Sequence, residues 1–549
     1  MKNVFSNIDP VLVLCESNYS FFFDFVAKEM AGPKTAPLHR VCSLMRKMKV
    51  KCFVREELEE NSEIKEELAA VELRADRKVQ AKAIRYTFFR TAPANGSWKS
   101  LEDKDVLGYV VVLKLEPELP VPAVNPQMTL YGYILEAVIV PPRIVLEGGA
   151  VEGVTNYYVH SCRQYETTVG KTTDNKSFRL TGTFFCQQNG FTNACAHAAL
   201  KMAMNSWPGY SGDKLTCEAI NKILKVDHSK FKDVPNGGLD ARRIADVIRA
   251  LGHEPDIAEF RLRPDISYEE YVYPLIESGC PVILGLANAR FGHVVAVVGH
   301  TLNSDRWAEA RHVYGTVPQA GYLSAAGWAD HFIVNDDNFG MYVTLPTEAV
   351  RNFIVPKYNP NLYAAVGVGV LPGKPTPPGA NAERSIAGYN AEQLASMFLH
   401  KLLKETTPAP GNRWFNLLKG SGHTLVCRTV FRKKADYVKS LTEMCDERDN
   451  KLAGGDVQLL ERLLPDSVWV TEVMIPNLYA GNKRKLGEIL SKTRASEADI
   501  RGNKTLVFGW LAGVRWHGSG LQNGPTDWPI LGHVALARGI PAENCKLEW

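Results

Sequence analysis

The residues with the clearest chemical potential lie in the middle third of the chain. Residues 184–207, FFCQQNGFTNACAHAALKMAMNSW, read as a polar loop with Gly190 opening into an alanine-rich helix, with Cys195 in its first turn and Asn193 as its N-cap. Backbone N–H groups and the positive end of the helix dipole would stabilise a thiolate at Cys195, which is how a thiol becomes a nucleophile. Ala198, Ala199, Met202 and Ala203 follow at helical spacing, a small-residue stripe suited to close packing on a sheet. On that stripe alone, a buried structural cysteine is the competing reading.

A nucleophilic thiol needs a base. His197 is a poor one, because residues two apart on a helix diverge. Residues 277–301, ESGCPVILGLANARFGHVVAVVGHT, read as a buried strand, a short turn and a second strand starting at His293. On that strand His293, Val295, Val297 and Gly299 share a face, while His300 lies on the other face roughly 23 Å farther along, at ~3.3 Å per residue. His293 is therefore the candidate base. A third run, HFIVNDDNFG at 331–340, reads as a strand ending in acidic residues, and an Asp there could hold the imidazole tautomer and stabilise its charged form. Asp336 and Asp337 both qualify by position, and an acidic turn is the ordinary alternative for each.

The elements around these runs predict an α+β chain of several domains. Residues 55–84 mix helix formers with charges of both signs, as a solvated helix does. From Leu107, VLGYVVVLKL and YGYILEAVIV read as strands separated by the proline-rich EPELPVPAVNPQ. The expected division is an N-terminal α+β domain over 1–167, a central domain over 168–365, a Pro/Gly-rich linker over 366–382 and a C-terminal α+β domain over 383–549. In the last domain, 388–465 reads as helical, and SVWVTEVMI, TLVFGWLAGVRW and ILGHVALAR read as strands. A chain of 549 residues has room for roughly two to four such units.

Composition sets limits. With 45% apolar and 23% charged residues, wholesale disorder and a multispan membrane protein are disfavoured. A net charge of +4 is too weak a field to imply nucleic acid or acidic lipid as the main partner. The 11 cysteines are scattered without a C-x-x-C pair, and the first 30 residues carry no signal-peptide core, so a reducing, cytoplasmic location is expected. No phosphate loop, H-E-x-x-H or G-x-S-x-G occurs, and the 13 histidines never pair at metal-ligand spacing. No metal and no cofactor is expected.

Taken together, a Gln shortly before a helix-opening Cys, then G-C-P-V-I-L, G-H-V-V-A-V-V-G-H and I-V-N-D, resemble the papain-like cysteine peptidases, and within them the subgroup similar to bacterial leader-peptide-processing (peptidase C39-like) enzymes. The resemblance covers 184–355 and leaves both flanks outside it. It implies a helix carrying the Cys and an antiparallel sheet carrying the His and Asp, flanked by the two α+β domains. It also implies Gln188 as oxyanion-hole donor, Cys195 as nucleophile, His293 as general base and Asp336 as orienter. Two departures from the family pattern stand out. Gln188 precedes Cys195 by seven residues, which leaves Gln187 and Asn189 as alternative donors, and His293 and Asp336 lie 43 residues apart where a short hairpin is usual. The expected activity is a peptidase or isopeptidase-like thiol hydrolase acting on a peptide or protein. The alternatives are a catalytically silent papain-like binding module and a transglutaminase-like acyl transferase. A protein partner would engage the flanking domains, with Trp414, Trp516 and Trp528 as a recognition surface or, more simply, as core. If strands 293–300 and 331–336 are antiparallel neighbours, the insertion 302–328 leaves from the end of the sheet far from the thiol.

Overall fold

The computed structural model describes residues 10–15, 36–76, 78–120, 129–142, 157–171, 174–189, 195–233, 238–262, 266–288, 292–301, 322–351, 362–375, 384–405, 413–420, 425–443, 454–476, 484–496, 498–499, 505–511, 514–517 and 537–538. Asn193, Gly190, Trp307 and Trp528 lie outside them, as does most of the 302–328 insertion. The described residues form a mixed α+β structure built on three mainly antiparallel sheets.

The first sheet has the order β1-β2-β3-β4-β5-β8-β7, from β1 (Val11–Leu14), β2 (Cys52–Leu58), β3 (Gln80–Phe89), β4 (Val106–Pro120), β5 (Thr129–Ile139), β7 (Arg163–Lys171) and β8 (Asp174–Phe185). Helices α1 (Ala36–Lys47) and α2 (Ser62–Ala75) accompany it. The stretch 55–84, expected as one solvated helix, is instead strand, helix, strand. Its charges are not all solvated: Glu56 pairs across the ladder with Arg85, Oε1 to Nη2 at 2.6 Å, and both side chains are largely buried. That cross-strand pair holds polar residues inside a sheet that an alternation of apolar and charged residues could equally have placed on a helix surface.

The second sheet has the order β14-β13-β11-β10-β15-β9, with β6 (Tyr157–Val159) adding to β11. Its strands are β9 (Glu254–Glu259), β10 (Val282–Ala287), β11 (Gly292–Thr301), β13 (His331–Asp336), β14 (Gly340–Pro346) and β15 (Tyr363–Leu371). Alternation along the strands splits its residues cleanly. Ala296, Val298 and Ile333 join the core shared with the first sheet and with helix α3 (Cys195–Ser206), whereas Val295, Val297, Phe332 and Val334 join a second core. Helix α6 (Tyr268–Glu277) lies in that second core, while α4 (Cys217–Leu224) and α5 (Ala241–Ala250) border the first.

Two expected boundaries move. The 167/168 division falls inside β7, and β8, just ahead of the Cys loop, pairs with β5 and β7 of the first sheet. The proposed linker 366–382 begins as strand, because β15 runs to Leu371 between β10 and β9. Of the rest, 372–375 are irregular and 376–382 lie outside the described residues. In the C-terminal part, α7 (Gly388–Glu405), α8 (Arg413–Gly420), α9 (Lys434–Glu443) and α10 (Gly454–Leu463) bracket a strand within the stretch read as helical, β17 (Val426–Lys433). It joins β12 (Leu323–Ser324), β18 (Ser467–Met474), β20 (Gly487–Lys492), β22 (Leu506–Leu511) and β23 (Val514–His517) in the third sheet. Two short pairs, β16 (Arg384–Ser385) with β21 (Arg494–Ala495) and β19 (Arg484–Lys485) with β24 (Ala537–Arg538), complete the strands.

Gly299 marks the tightest backbone approach in the second sheet. A Cβ there would overlap the carbonyl oxygen of Tyr158 on β6, so only glycine lets β6 close on β11. Gly299→Ala is expected to destabilise the protein by about 1–3 kcal/mol through overpacking, read as a lower urea midpoint with an unchanged slope.

Candidate active site

Helix α3 owes its position to its small-residue stripe. Ala199, Met202 and Ala203 are fully buried in the core shared with β8 and β11, and the far end of the helix is fixed by Ser206 Oγ, which accepts from the backbone N–H of Phe184 at 2.9 Å. His197, on the same helix, is buried with Nε2 3.2 Å from Asn221 Oδ1 and its ring against His228. Burial, reinforced by His228, pushes its pKa down to about 3, so it serves packing. Cys195, at the N-terminal end, stays partly accessible.

β11 and β13 are antiparallel neighbours, with Ala296 opposite Asn335 and His300 opposite Phe332. His293 near the start of one strand therefore meets Asp336 at the end of the other, Nε2 to Oδ1 at 3.1 Å, despite the 43 intervening residues. Asp336 Oδ1 also accepts the backbone N–H groups of Asn338 at 2.8 Å and Phe339 at 3.3 Å, an Asx-type turn that fixes the carboxylate. Asp337 is fully buried and reaches the same Nε2 at 3.6 Å. Cys195 lies close enough to His293 to favour its charged form. Because the carboxylate occupies Nε2, that nitrogen carries a proton and the neutral ring presents its lone pair at Nδ1. Burial alone would lower the imidazole pKa, but the Asp336 hydrogen bond, the nearby Cys195 and the charges of Asp336 and Asp337 outweigh it and raise the value to about 10.

The three candidate amides separate by partner. Gln187 continues the pairing with β5, its N–H to the Ile134 carbonyl at 3.0 Å and its Oε1 accepting the Ile134 N–H at 3.1 Å. Asn189 Nδ2 donates to Glu67 Oε1 at 2.8 Å. Gln188 is half-exposed and its Nε2 lies 3.4 Å from Asn338 Oδ1, while Asn338 Nδ2 is 3.4 Å from both ring nitrogens of His293. The structure thus brings Gln188, Cys195, His293 and Asp336 to one place. It adds Asn338, which sequence reading passed over although it stands two residues beyond Asp336 in the same acidic turn. Phe339 beside it is 62% exposed at the rim.

Among the described residues, two groups of side chains have metal-ligand geometry: His293 with Asp336 and Asp337, and the distant set His160, Glu277 and His300. Sequence spacing could not reveal the second, since its members lie on three separate elements. The described end of the insertion also turns away from the thiol: Tyr322 and Trp328 are buried, and Leu323–Ser324 pair with β17 of the third sheet. The chain matches no known family model, no curated protein and no solved structure.

Selective chemistry at Cys195 is expected. Burial raises Cys15 and Cys217 to about 11 and Cys42, Cys52, Cys186 and Cys280 to about 12. Limited iodoacetamide at neutral pH should therefore label Cys195 first by mass mapping, and His293→Ala should slow that labelling. Asp336→Asn should slow it far more than Asp337→Asn, because the 3.1 Å partner shares the His293 face of the sheet.

The raised His293 value also carries a stability consequence. The unfolded imidazole titrates near its ordinary 6.5 and the folded one near 10, so its stabilising contribution is complete below pH 6.5 and is lost as pH rises toward 10. Across that window the wild type should lose more thermal stability than His293→Gln, measured as Tm against pH.

Proposed function

We propose that the chain is a cysteine-type thiol hydrolase of papain-like architecture, a peptidase or isopeptidase, acting on a peptide or protein through Cys195, His293 and Asp336. The observation that carries this reading is the placement of His293 beside a helix-borne thiol and a buried carboxylate, hydrogen-bonded to the carboxylate. The Cys195 thiolate attacks the acyl carbon of an amide and a C–S bond forms. The resulting oxyanion is met by Gln188 Nε2, with Asn338 steadying that amide. As the C–N bond breaks, the imidazolium of His293 gives its proton to the departing amine and leaves a thioester. His293 then takes a proton from water, hydroxide adds to the thioester and the C–S bond breaks, releasing the acid and restoring the thiolate–imidazolium pair.

Asp336 acts throughout by holding Nε2–H, so that Nδ1 faces the thiol and the charged ring is compensated. The nine cysteines among the described residues are all unbridged, in keeping with a reducing, cytoplasmic setting. No described helix is long and apolar enough to cross a membrane. The flanking sheets would supply the surface on which a protein substrate docks.

The reading is tested by incubating the full chain with a p-nitrophenyl acyl ester, with and without a primary amine, and following both turnover and the mass of the protein. An acyl adduct on Cys195 that is released as free acid, with His293→Ala lowering turnover by about 10²–10⁴, is the expected result. Preferential transfer to the amine would make the protein an acyl transferase. Absence of any Cys195 adduct, in a chain shown to be folded, would reduce the domain to a binding module.

A further inference from the structure

His160, His300 and Glu277 lie at the end of β11 opposite the catalytic histidine. They are nearly or fully buried, where β6, β11 and α6 meet the third sheet. We propose that they bind one transition-metal dication, zinc by preference, as a structural site independent of the thiol chemistry.

The donor atoms converge. His160 Nε2 is 3.2 Å from His300 Nε2 and 3.8 Å from Glu277 Oε2, and His300 Nε2 is 2.5 Å from that same oxygen. Tetrahedral zinc with bonds of 2.0–2.1 Å holds its ligand atoms about 3.3 Å apart, which the His160–His300 separation matches and to which the shorter His300–Glu277 contact would have to open. The two rings fit the same centre. Imidazoles aimed at a common point about 2.05 Å from each Nε2 have ring centroids about 5.0 Å apart when their nitrogens are 3.2 Å apart, whereas a head-on N–H···N bond of that length separates them by about 5.5 Å. The observed centroid separation is 5.0 Å, with the planes inclined by 20°.

Proton accounting points the same way. His300 Nδ1 lies 2.9 Å from the Thr301 carbonyl, which can only accept, so Nδ1 bears the hydrogen and the lone pair of the neutral ring is on Nε2. That lone pair faces the Glu277 carboxylate, and two acceptors at this distance need a positive charge between them. A backbone carbonyl on the far ring nitrogen is the support that metal-bound histidines ordinarily have. The other carboxylate oxygen of Glu277 is likewise held, by Arg428 Nη2. His160 is delivered by the β6–β11 approach that Gly299 permits, with its own N–H on the Val298 carbonyl at 2.8 Å.

Surplus negative charge contributes nothing here: Arg428, Arg432 and Lys485 stand beside Glu277, Glu472 and Glu488, three against three. Attraction for the ion rests on two imidazoles and one carboxylate, a set that selects zinc, cobalt or nickel over magnesium or calcium. Burial this complete means that the ion enters during folding. A second proton on His300, or offset stacking of two neutral rings, is the rival arrangement.

The test uses full-length Cys195→Ser protein, which removes the catalytic thiol as a competing ligand. The protein is produced in zinc- or cobalt-supplemented culture and desalted, and its metal content is then measured. About one equivalent per chain is expected, with cobalt giving the visible absorption of a four-coordinate site without thiolate charge transfer. His160→Phe keeps the ring packing and removes the donor, so metal should fall to background with circular dichroism unchanged. If that variant does not fold, zinc-edge X-ray absorption of the parent protein decides, showing the two imidazole neighbours of His160 and His300 and not the single one that His293 with Asp336 and Asp337 would give. Background metal in the folded parent, undiminished metal in His160→Phe, or sulfur neighbours would overturn the proposal.

Discussion

The pairing of β11 with β13 is the constraint on which the candidate site depends. Antiparallel neighbours place the start of one strand beside the end of the other, so His293 and Asp336 meet however long the chain between them. Both faces of β11 are buried, one against α3 and the first sheet, the other against α6, and a slip by one residue would exchange every side chain between two different cores. The geometry of the His293–Asp336 pair is thereby protected by apolar packing many residues away. Asn335 adds a local lock, with Nδ2 on the Phe184 carbonyl at 3.1 Å and Oδ1 accepting the Tyr342 N–H at 3.0 Å.

Charge is buried at both ends of this strand, and each end handles it differently. At His293 two carboxylates address a single imidazole that also meets the thiol, and the desolvation cost of the charged ring is overcome by its hydrogen bonds. At His300 the Glu277 carboxylate is tied through Arg428 to Glu472, and Lys485 links Glu472 to Glu488. Removing one member of such a chain strands its partner in a medium that cannot solvate it. The first arrangement leaves a half-exposed Gln188 and an exposed Phe339 at its rim, whereas the members of the second are all buried.

The catalytic candidates were legible because each sits where local structure changes: a helix start, a strand start and a strand end. Asn338 was not, because its importance comes from reaching across the turn to His293 and Gln188, a tertiary fact. The choice among Gln187, Gln188 and Asn189 was equally closed to sequence, since only the β5 backbone and Glu67 distinguish them. The misreading of 366–371 is instructive in another way. The first part of the expected Pro/Gly-rich linker is strand, where a Cβ on Gly367 would press into the Tyr271 ring at 2.6 Å and one on Gly369 into Leu275 Cδ1 at 2.6 Å. Their smallness lets α6 lie close on the sheet, and glycine used for packing has the same letter as glycine used for a linker.

The flanking regions build part of the central sheet and its core. The central sheet borrows β6 from the segment before the Cys loop, and the core beneath α3 is continuous with that of the first sheet. On its other side, α6 carries Glu277 to Arg428 and Ser278 Oγ accepts the Phe431 N–H at 2.7 Å, both on β17. The end of the long insertion adds β12 to that same third sheet. The strands that carry His293 and Asp336 are thus held from two sides by elements that lie outside residues 184–355, and among the described residues Gln188, Asn338 and Phe339 border this pair. On the proposed reading a protein substrate would approach along that border, where Gln188 after β8 meets Asn338 after β13, and would be recognised by the surfaces beside these two residues and not by the buried interface at the far end of β11.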